Sequence, residues 1–192
     1  MKLWHGGRRL HWPVEIRPAS ADRAQAGPGF YLTNRYERAC QYSRGGGTTY
    51  IVDFKKDITL SSDVSIPVDE VLRFMDGVSR IPNRKALRKD LEFNIITGDR
   101  HKEIIAEHVI NLFVNHDACR GKAYVELAEF MTEQGADASI QRISAREEWL
   151  VVHNPRVVSN IAPVRAADVN LEERELPLPS EFLADKALTP GM

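Results

Sequence analysis

Apolar and polar positions follow one period at the two ends of this chain and another in its middle. Near the amino terminus the pattern is short and β-like. Lys2 to His5 predicts a brief strand, and Gly29 to Thr33 a second one after a polar, proline-bearing stretch from Arg17 to Gly27 that reads as loop or short helix. Tyr36 to Tyr42 has the look of one or two helical turns. The glycine-rich link Ser43 to Gly47 then leads into Thr48-Thr49-Tyr50-Ile51-Val52-Asp53-Phe54, the clearest strand by β-branched content. From about Val68 to Gln134 the spacing turns helical. Val68, Val71, Leu72 and Met75 share one face, as do Ile104, Ile105, His108, Val109 and Leu112, and then Tyr124, Leu127, Ala128 and Met131 before Gly135. Strand character returns at Ser139–Ile143, Trp149–His153 and Val157–Ile161. The expectation is an α+β domain over residues 1–165 with a helical insertion at about 68–134. An acidic, proline-containing tail (166–192) then lies over the surface or hangs free.

The 192 residues suffice for one domain with a sizeable core. Hydrophobic residues make up 43% and charged ones 28%, in the range of ordinary globular proteins. A formal net charge of −1 gives the molecule as a whole no field that attracts nucleic acid. Cys40 and Cys119 form no disulfide framework and read as reduced thiols. No apolar run approaches the ~20 residues of a membrane span. Met1 leads directly into a strand without the regions of a signal peptide. A cytoplasmic location is expected, or delivery into a target cell by a specialised secretion machine.

Candidate chemistry sits at both ends. Lys2-Leu3-Trp4-His5-Gly6-Gly7 comes first, and Gly27-Pro28-Gly29-Phe30-Tyr31-Leu32-Thr33 follows. Tyr42 stands eleven residues after Tyr31, and Glu148-Trp149-Leu150-Val151-Val152 lies far downstream, after Gly135-Ala136-Asp137-Ala138-Ser139-Ile140. Together, over residues 1–54 and 135–162, these segments resemble the ADP-ribosyltransferases with a histidine, tyrosine, glutamate triad, the class of diphtheria toxin and the poly(ADP-ribose) polymerases. The resemblance implies a split β-sheet core with an inserted helical layer, and NAD as substrate without a metal.

It also implies roles. His5 would bond the adenine-side ribose, and the backbone of Gly6 would hold the nicotinamide carboxamide, where a side chain would obstruct close approach. Gly7 follows where the polymerase branch often has a hydroxyl, and Ala39 stands where that branch has serine. Tyr31 and Tyr42 would face the two sides of the nicotinamide ring, through stacking and cation–π attraction of about 0.5–2 kcal/mol each. Glu148 aligns with the family's glutamate, whose fixed charge stabilises the oxocarbenium character that grows as the nicotinamide–ribose bond breaks. Glu147 is the alternative, pointing to the opposite face if both lie on one strand. The loop before the glutamate meets the acceptor in this family, which places Arg146 and Glu147 near the target.

The activity implied is mono-ADP-ribosyl transfer to a macromolecular acceptor, protein or nucleic acid. Small bacterial members of the class are commonly toxins of toxin–antitoxin or phage-defence systems, or effectors, which implies an antitoxin or immunity protein as a partner. Other readings are an NAD glycohydrolase, an RNA 2′-phosphotransferase (a family that works through several arginines and lacks the triad glutamate), and an inactive NAD- or ADP-ribose-binding module. Several features read as structural. Ser43-Arg44-Gly45-Gly46-Gly47-Thr48 lacks the Gly-Lys-Ser/Thr ending of a phosphate loop. His101, His108 and His116 have the wrong spacing for a metal pair. Arg80, Arg84, Lys85, Arg88 and Lys89 make a basic run that is either a solvated helix face or a target-binding patch.

Overall fold

The computed structural model describes residues 1–19, 24–44, 46–55, 57–97 and 103–184. The strands in chain order are β1 (Lys2–Gly7), β2 (Phe30–Thr33), β3 (Thr48–Phe54), β4 (Ser65–Pro67), β5 (Glu103–Ile105), β6 (Ala138–Ser144), β7 (Glu147–Val152) and β8 (Val158–Val164). The helices are α1 (Tyr36–Ser43), α2 (Val68–Gly77), α3 (Arg84–Thr97), α4 (Ala106–Asn115), α5 (Lys122–Glu133) and α6 (Pro179–Ala184). Six strands form one antiparallel sheet in the order β6-β7-β2-β1-β3-β8, and β4 pairs with β5 apart from it. The fold is α+β, as the change of period along the chain predicts.

Strand alternation assigns the two faces of the sheet. Leu3, Leu32, Val52 and Leu150 point one way, and with Phe30, Tyr50 and Val152 they form a buried apolar layer. Trp4 points the other way, where Tyr36 and Ala39 of α1 and Val169 of the tail close over it. The inserted helices bury a core of their own, including Val71, Met75, Leu87, Leu91, Val109, Phe113, Leu127 and Met131. Of these, Val71, Met75, Val109, Leu127 and Met131 are positions the helical spacing picks out in α2, α4 and α5, whereas Leu87, Leu91 and Phe113 join them unannounced by it.

Two expectations change in detail. Ile104 and Ile105 belong to β5, not to the helix that follows; paired with Ile66 and Ser65, these β-branched residues extend, and α4 starts at Ala106. The tail is docked as far as residue 184. Trp4 Nε1 donates to the Glu173 carbonyl at 3.0 Å, and Asn34 Nδ2 donates to the Leu176 carbonyl at 3.1 Å. Arg35 pairs with Glu175 at 2.7 Å. Residues 185–192 lie outside the described residues.

One feature of the sheet positions the site. β1 pairs with β3 along its whole length, from Lys2↔Asp53 to Gly7↔Thr48, yet it meets β2 at a single pair, Trp4↔Thr33. Beyond that pair β1 and β2 make no further ladder pairing, although both stay within the one six-stranded sheet. His5, Gly6 and Gly7 edge the gap on one side, and Phe30, Tyr31 and Leu32 on the other.

Candidate functional site

The gap opens into a cleft of about 1120 Å³, lined by His5, Gly6, Gly7, Tyr31, Tyr42 and Trp149 among others. Where the backbone ladder fails, the imidazole of His5 takes over: its Nδ1 lies 2.8 Å from the Tyr31 carbonyl. A carbonyl only accepts, so Nδ1 carries the proton and Nε2 is an acceptor. Burial pushes the imidazole down to about 4, against the opposing pull of the Tyr31 carbonyl, so His5 is neutral near pH 7. Its ring packs on Phe30 at 4.3 Å. The result is a fixed, neutral acceptor at the edge of the cleft.

The two glycines beside it are constrained by different neighbours. A Cβ on Gly6 would lie 1.7 Å from the Ala39 carbonyl, because the backbone of α1 crosses directly over this residue. A Cβ on Gly7 would lie 2.8 Å from His5 Nε2 and would crowd the one free imidazole nitrogen. Ala39 is fully buried between α1 and β1. A side chain larger than alanine there would separate the helix from the strand.

Tyr31 is locked by its hydroxyl, which donates to the Gly27 carbonyl at 2.7 Å and accepts from Ala26 N at 3.1 Å. Burial raises this phenol well above its usual range. Gly29, before β2, is held in turn by Tyr124 of α5, whose hydroxyl accepts from Gly29 N at 2.9 Å and donates to Gly29 O at 2.6 Å. The helical layer thus sets the geometry of the β2 edge. Tyr42 is 56% exposed on α1. Tyr31 and Tyr42 are each edge-on to Trp149, at centroid distances of 5.8 and 6.3 Å. The expected pair of rings is therefore a group of three, with the indole between the phenols.

The two acids separate as strand alternation requires. The Glu148 carboxylate is not among the groups that line the cleft with His5 and Tyr31. It is buried and turned away from α1, and both its oxygens are held by α6: Ser180 N donates to Oε2 at 2.9 Å and Ser180 Oγ donates to Oε1 at 2.8 Å. Glu147 shares the face of Trp149 and α1. It accepts from Arg38 Nε at 2.8 Å, Arg38 Nη2 at 3.2 Å and Trp149 Nε1 at 3.0 Å. Being buried and paired, Glu147 is no surface contact for a target, which corrects that expectation. Neither acid contributes to the lining; Glu147 stands directly behind Trp149, which does. Arg146 is exposed in the turn between β6 and β7, where its carbonyl accepts from Asn34 Nδ2 at 3.1 Å.

Sequence reasoning missed several lining residues. Arg8, Arg9, Arg17 and Arg44 border the cleft, with Glu15 as the acid among them. Arg8 and Arg9 directly follow Gly7, so their proximity to the cleft was available from the sequence. Trp149 was available too, two residues beyond Glu147 on the same face. Tyr124 had no such signal, since 95 residues separate it from Gly29.

The features read as structural have ordinary partners. Gly47 N donates to the Ser43 carbonyl at 2.9 Å in the link to β3; Gly45 lies outside the described residues. His116 bonds Asp90 at 2.8 Å, and His101 also lies outside the described residues. Among the described residues no group of three His, Cys, Asp or Glu side chains is placed to hold a metal. In the basic run, Arg88 pairs with Asp76 at 2.6 Å and Arg84 donates to the Val78 carbonyl. Cys40 and Cys119 are both free thiols, and burial pushes Cys119 up to about 12. No helix among the described residues is long and apolar enough to cross a membrane. No protein-family model, curated protein or solved structure matches this chain.

Proposed function

We propose that the chain is a mono-ADP-ribosyltransferase that uses NAD as substrate. The observation that carries this reading is the parting of β1 from β2 at Trp4↔Thr33, with the neutral His5 bridging the gap through Nδ1. That arrangement leaves Nε2 as an acceptor for a ribose hydroxyl, beside the edge of Gly6 and Gly7 that β2 leaves unpaired. The cleft's volume, about 1120 Å³, exceeds the ~300–1,000 Å³ typical of small-molecule sites and suits a dinucleotide. Tyr31, Trp149 and Tyr42 offer π-faces and edges for a flat cation, and the bordering arginines offer charge for a diphosphate.

In the reaction, an acceptor nucleophile forms a bond to C1′ of the nicotinamide ribose while the C1′–N bond breaks. The electron pair leaves with neutral nicotinamide, and the acceptor's proton passes to a base or to solvent. A carboxylate about 4 Å from the developing positive charge, at an effective dielectric of ~20, contributes about 4 kcal/mol, roughly a thousandfold in rate. We assign that role to Glu147, whose carboxylate shares the side of the sheet occupied by Trp149, Tyr42 and Arg38 and reaches the cleft once the Trp149 indole bonded to it turns aside. Glu148, which the family resemblance selects, is engaged with Ser180.

Parallel variants test this. Glu147→Gln should lower NAD turnover at least tenfold with little change in NAD affinity, while Glu148→Gln keeps turnover within a few-fold of wild type. Wild-type turnover in Glu147→Gln, with loss in Glu148→Gln, would return the role to Glu148. Labelled NAD incubated with lysate, with and without nuclease, shows whether label enters protein, nucleic acid or only free ADP-ribose. A toxin role with a neutralising partner follows from the resemblance and from no residue of this chain.

A second reading gains from two observations. The four arginines that line the cleft, and the absence of either acid from that lining, are what an RNA 2′-phosphotransferase would need. NAD-dependent loss of phosphate from a 2′-phosphorylated RNA would establish it over transfer to an acceptor.

A further inference from the structure

The segment between β1 and the helical layer is pinned at intervals and displays its remaining side chains. Leu10 N donates to the Tyr50 hydroxyl at 3.0 Å, and Val14 is buried in the sheet core. Ile16 and Ala19 pack against the helical core, and Gly121 N donates to the Ala19 carbonyl at 3.0 Å. Between these anchors Arg8, Arg9, His11 and Trp12 are all exposed, Trp12 at 57%. A single exposed tryptophan is ordinary in itself. Here it adjoins a run of cations on a backbone held in place.

The charge at this rim exceeds what one NAD would use. Among the described residues four arginines border the cleft against one acid, Glu15, which lies 3.8 Å from Arg17. Arg8, Arg9 and Arg44 have no ion pair among the described residues. NAD brings only a diphosphate, partly cancelled by its own pyridinium. The formal net charge of the chain is −1, so this concentration of positive charge is local. The basic run near α3 differs, because Arg84 and Arg88 already have partners.

From these observations we infer that the Arg8–Trp12 segment, with Arg17 and Arg44, is a docking surface for single-stranded nucleic acid. The guanidinium groups meet successive phosphates, and Trp12 offers a platform on which an unpaired base stacks. A duplex hides its base faces from such a platform, so the chemistry favours a single strand. That the strand is also the acceptor rests on the proposed function; its binding does not.

The test is fluorescence anisotropy of the full chain with a labelled single-stranded oligonucleotide of mixed sequence, as DNA and as RNA, and with its duplex, over about 50–200 mM salt. Single strands should bind with an affinity that falls steeply with salt, and more tightly than the duplex. The Arg8→Ala/Arg9→Ala double variant should flatten the logarithmic salt slope by about 0.7 for each phosphate it no longer neutralises. Trp12→Ala should weaken binding about fivefold to a hundredfold while hydrolysing NAD at the wild-type rate. A salt-insensitive affinity, unaltered binding in both variants, or preference for the duplex overturns the assignment. NAD turnover without strand binding defeats the docking surface alone; strand binding without NAD turnover defeats the proposed function alone.

Discussion

Gly6 and Gly7 are neighbours in sequence with the same missing side chain, and their surroundings demand different consequences of restoring it. At Gly6 the obstacle is backbone, the Ala39 carbonyl 1.7 Å from an added Cβ, so α1 has to move. Gly6→Ala should therefore cost about 1–3 kcal/mol or more, as overpacking does, and urea denaturation measures it. At Gly7 the obstacle is the free nitrogen of His5. Gly7→Ala should lower the urea midpoint less than Gly6→Ala does while weakening NAD binding at least fivefold by calorimetry. Equal loss of stability in the two variants would show that Gly7 is structural as well. The sequence marks both glycines as unusual but not which atom each one clears, because the obstructing groups belong to other elements.

At the scale of elements, α6 shows how much a short helix can decide. It spans Pro179–Ala184, and Ser180 supplies both hydrogen bonds that the buried Glu148 carboxylate receives. Removing the Ser180 hydroxyl leaves a buried charge short of one partner, a loss of about 1–3 kcal/mol. Ser180→Ala should lower stability by that amount, and much less in a Glu148→Gln background, where no charge is left under-solvated. A double-mutant cycle by urea denaturation that returned simple additivity would dissolve the link between tail and sheet. Composition alone reads this tail as acidic and proline-containing, hence draped or free. Its docking depends on Asn34, Trp4 and Glu148, none of which its own sequence reveals.

For the whole molecule, two histidines tie stability to pH, His5 half-buried at the cleft edge and His153 fully buried. His5 and His153 are both pushed down to about 4 by burial. His153 is 1% exposed; its Nδ1 donates to the Pro28 carbonyl at 2.6 Å, and its Nε2 has no partner among the described residues. In the unfolded chain an imidazole takes up its proton near pH 6.5. Between there and about pH 4 the unfolded state holds more protons, so acidification favours unfolding. The stabilisation is whole above pH 6.5, falls as pH drops through that window, and is gone below about 4. Each group contributes on the order of 3 kcal/mol across the window, at 1.36 kcal/mol per pH unit. Urea midpoints should fall from pH 7.5 to 5.5 to 4.5, and His153→Asn, which can still donate to Pro28, should flatten that fall. A midpoint constant over this range would mean that water reaches both rings.

The chain's own pattern determined the α+β class, the helical insertion and the strands of the six-stranded sheet, though not β4 and β5. These follow from periods of 2 and 3.6, which each segment carries within itself. It also determined that Glu147 and Glu148 face opposite ways, since alternation along a strand is local. Only the tertiary structure decided which acid shares a face with α1 and Trp149, because that depends on the register Thr33↔Trp149 and on Ser180 reaching Glu148 from 32 residues away. It likewise decided that β1 and β2 part after one pair and that Trp149 joins Tyr31 and Tyr42. It gathered Arg17 and Arg44 around the same opening as Arg8 and Arg9. Contacts between distant segments depend on how layers pack and strands register, and no local period encodes them.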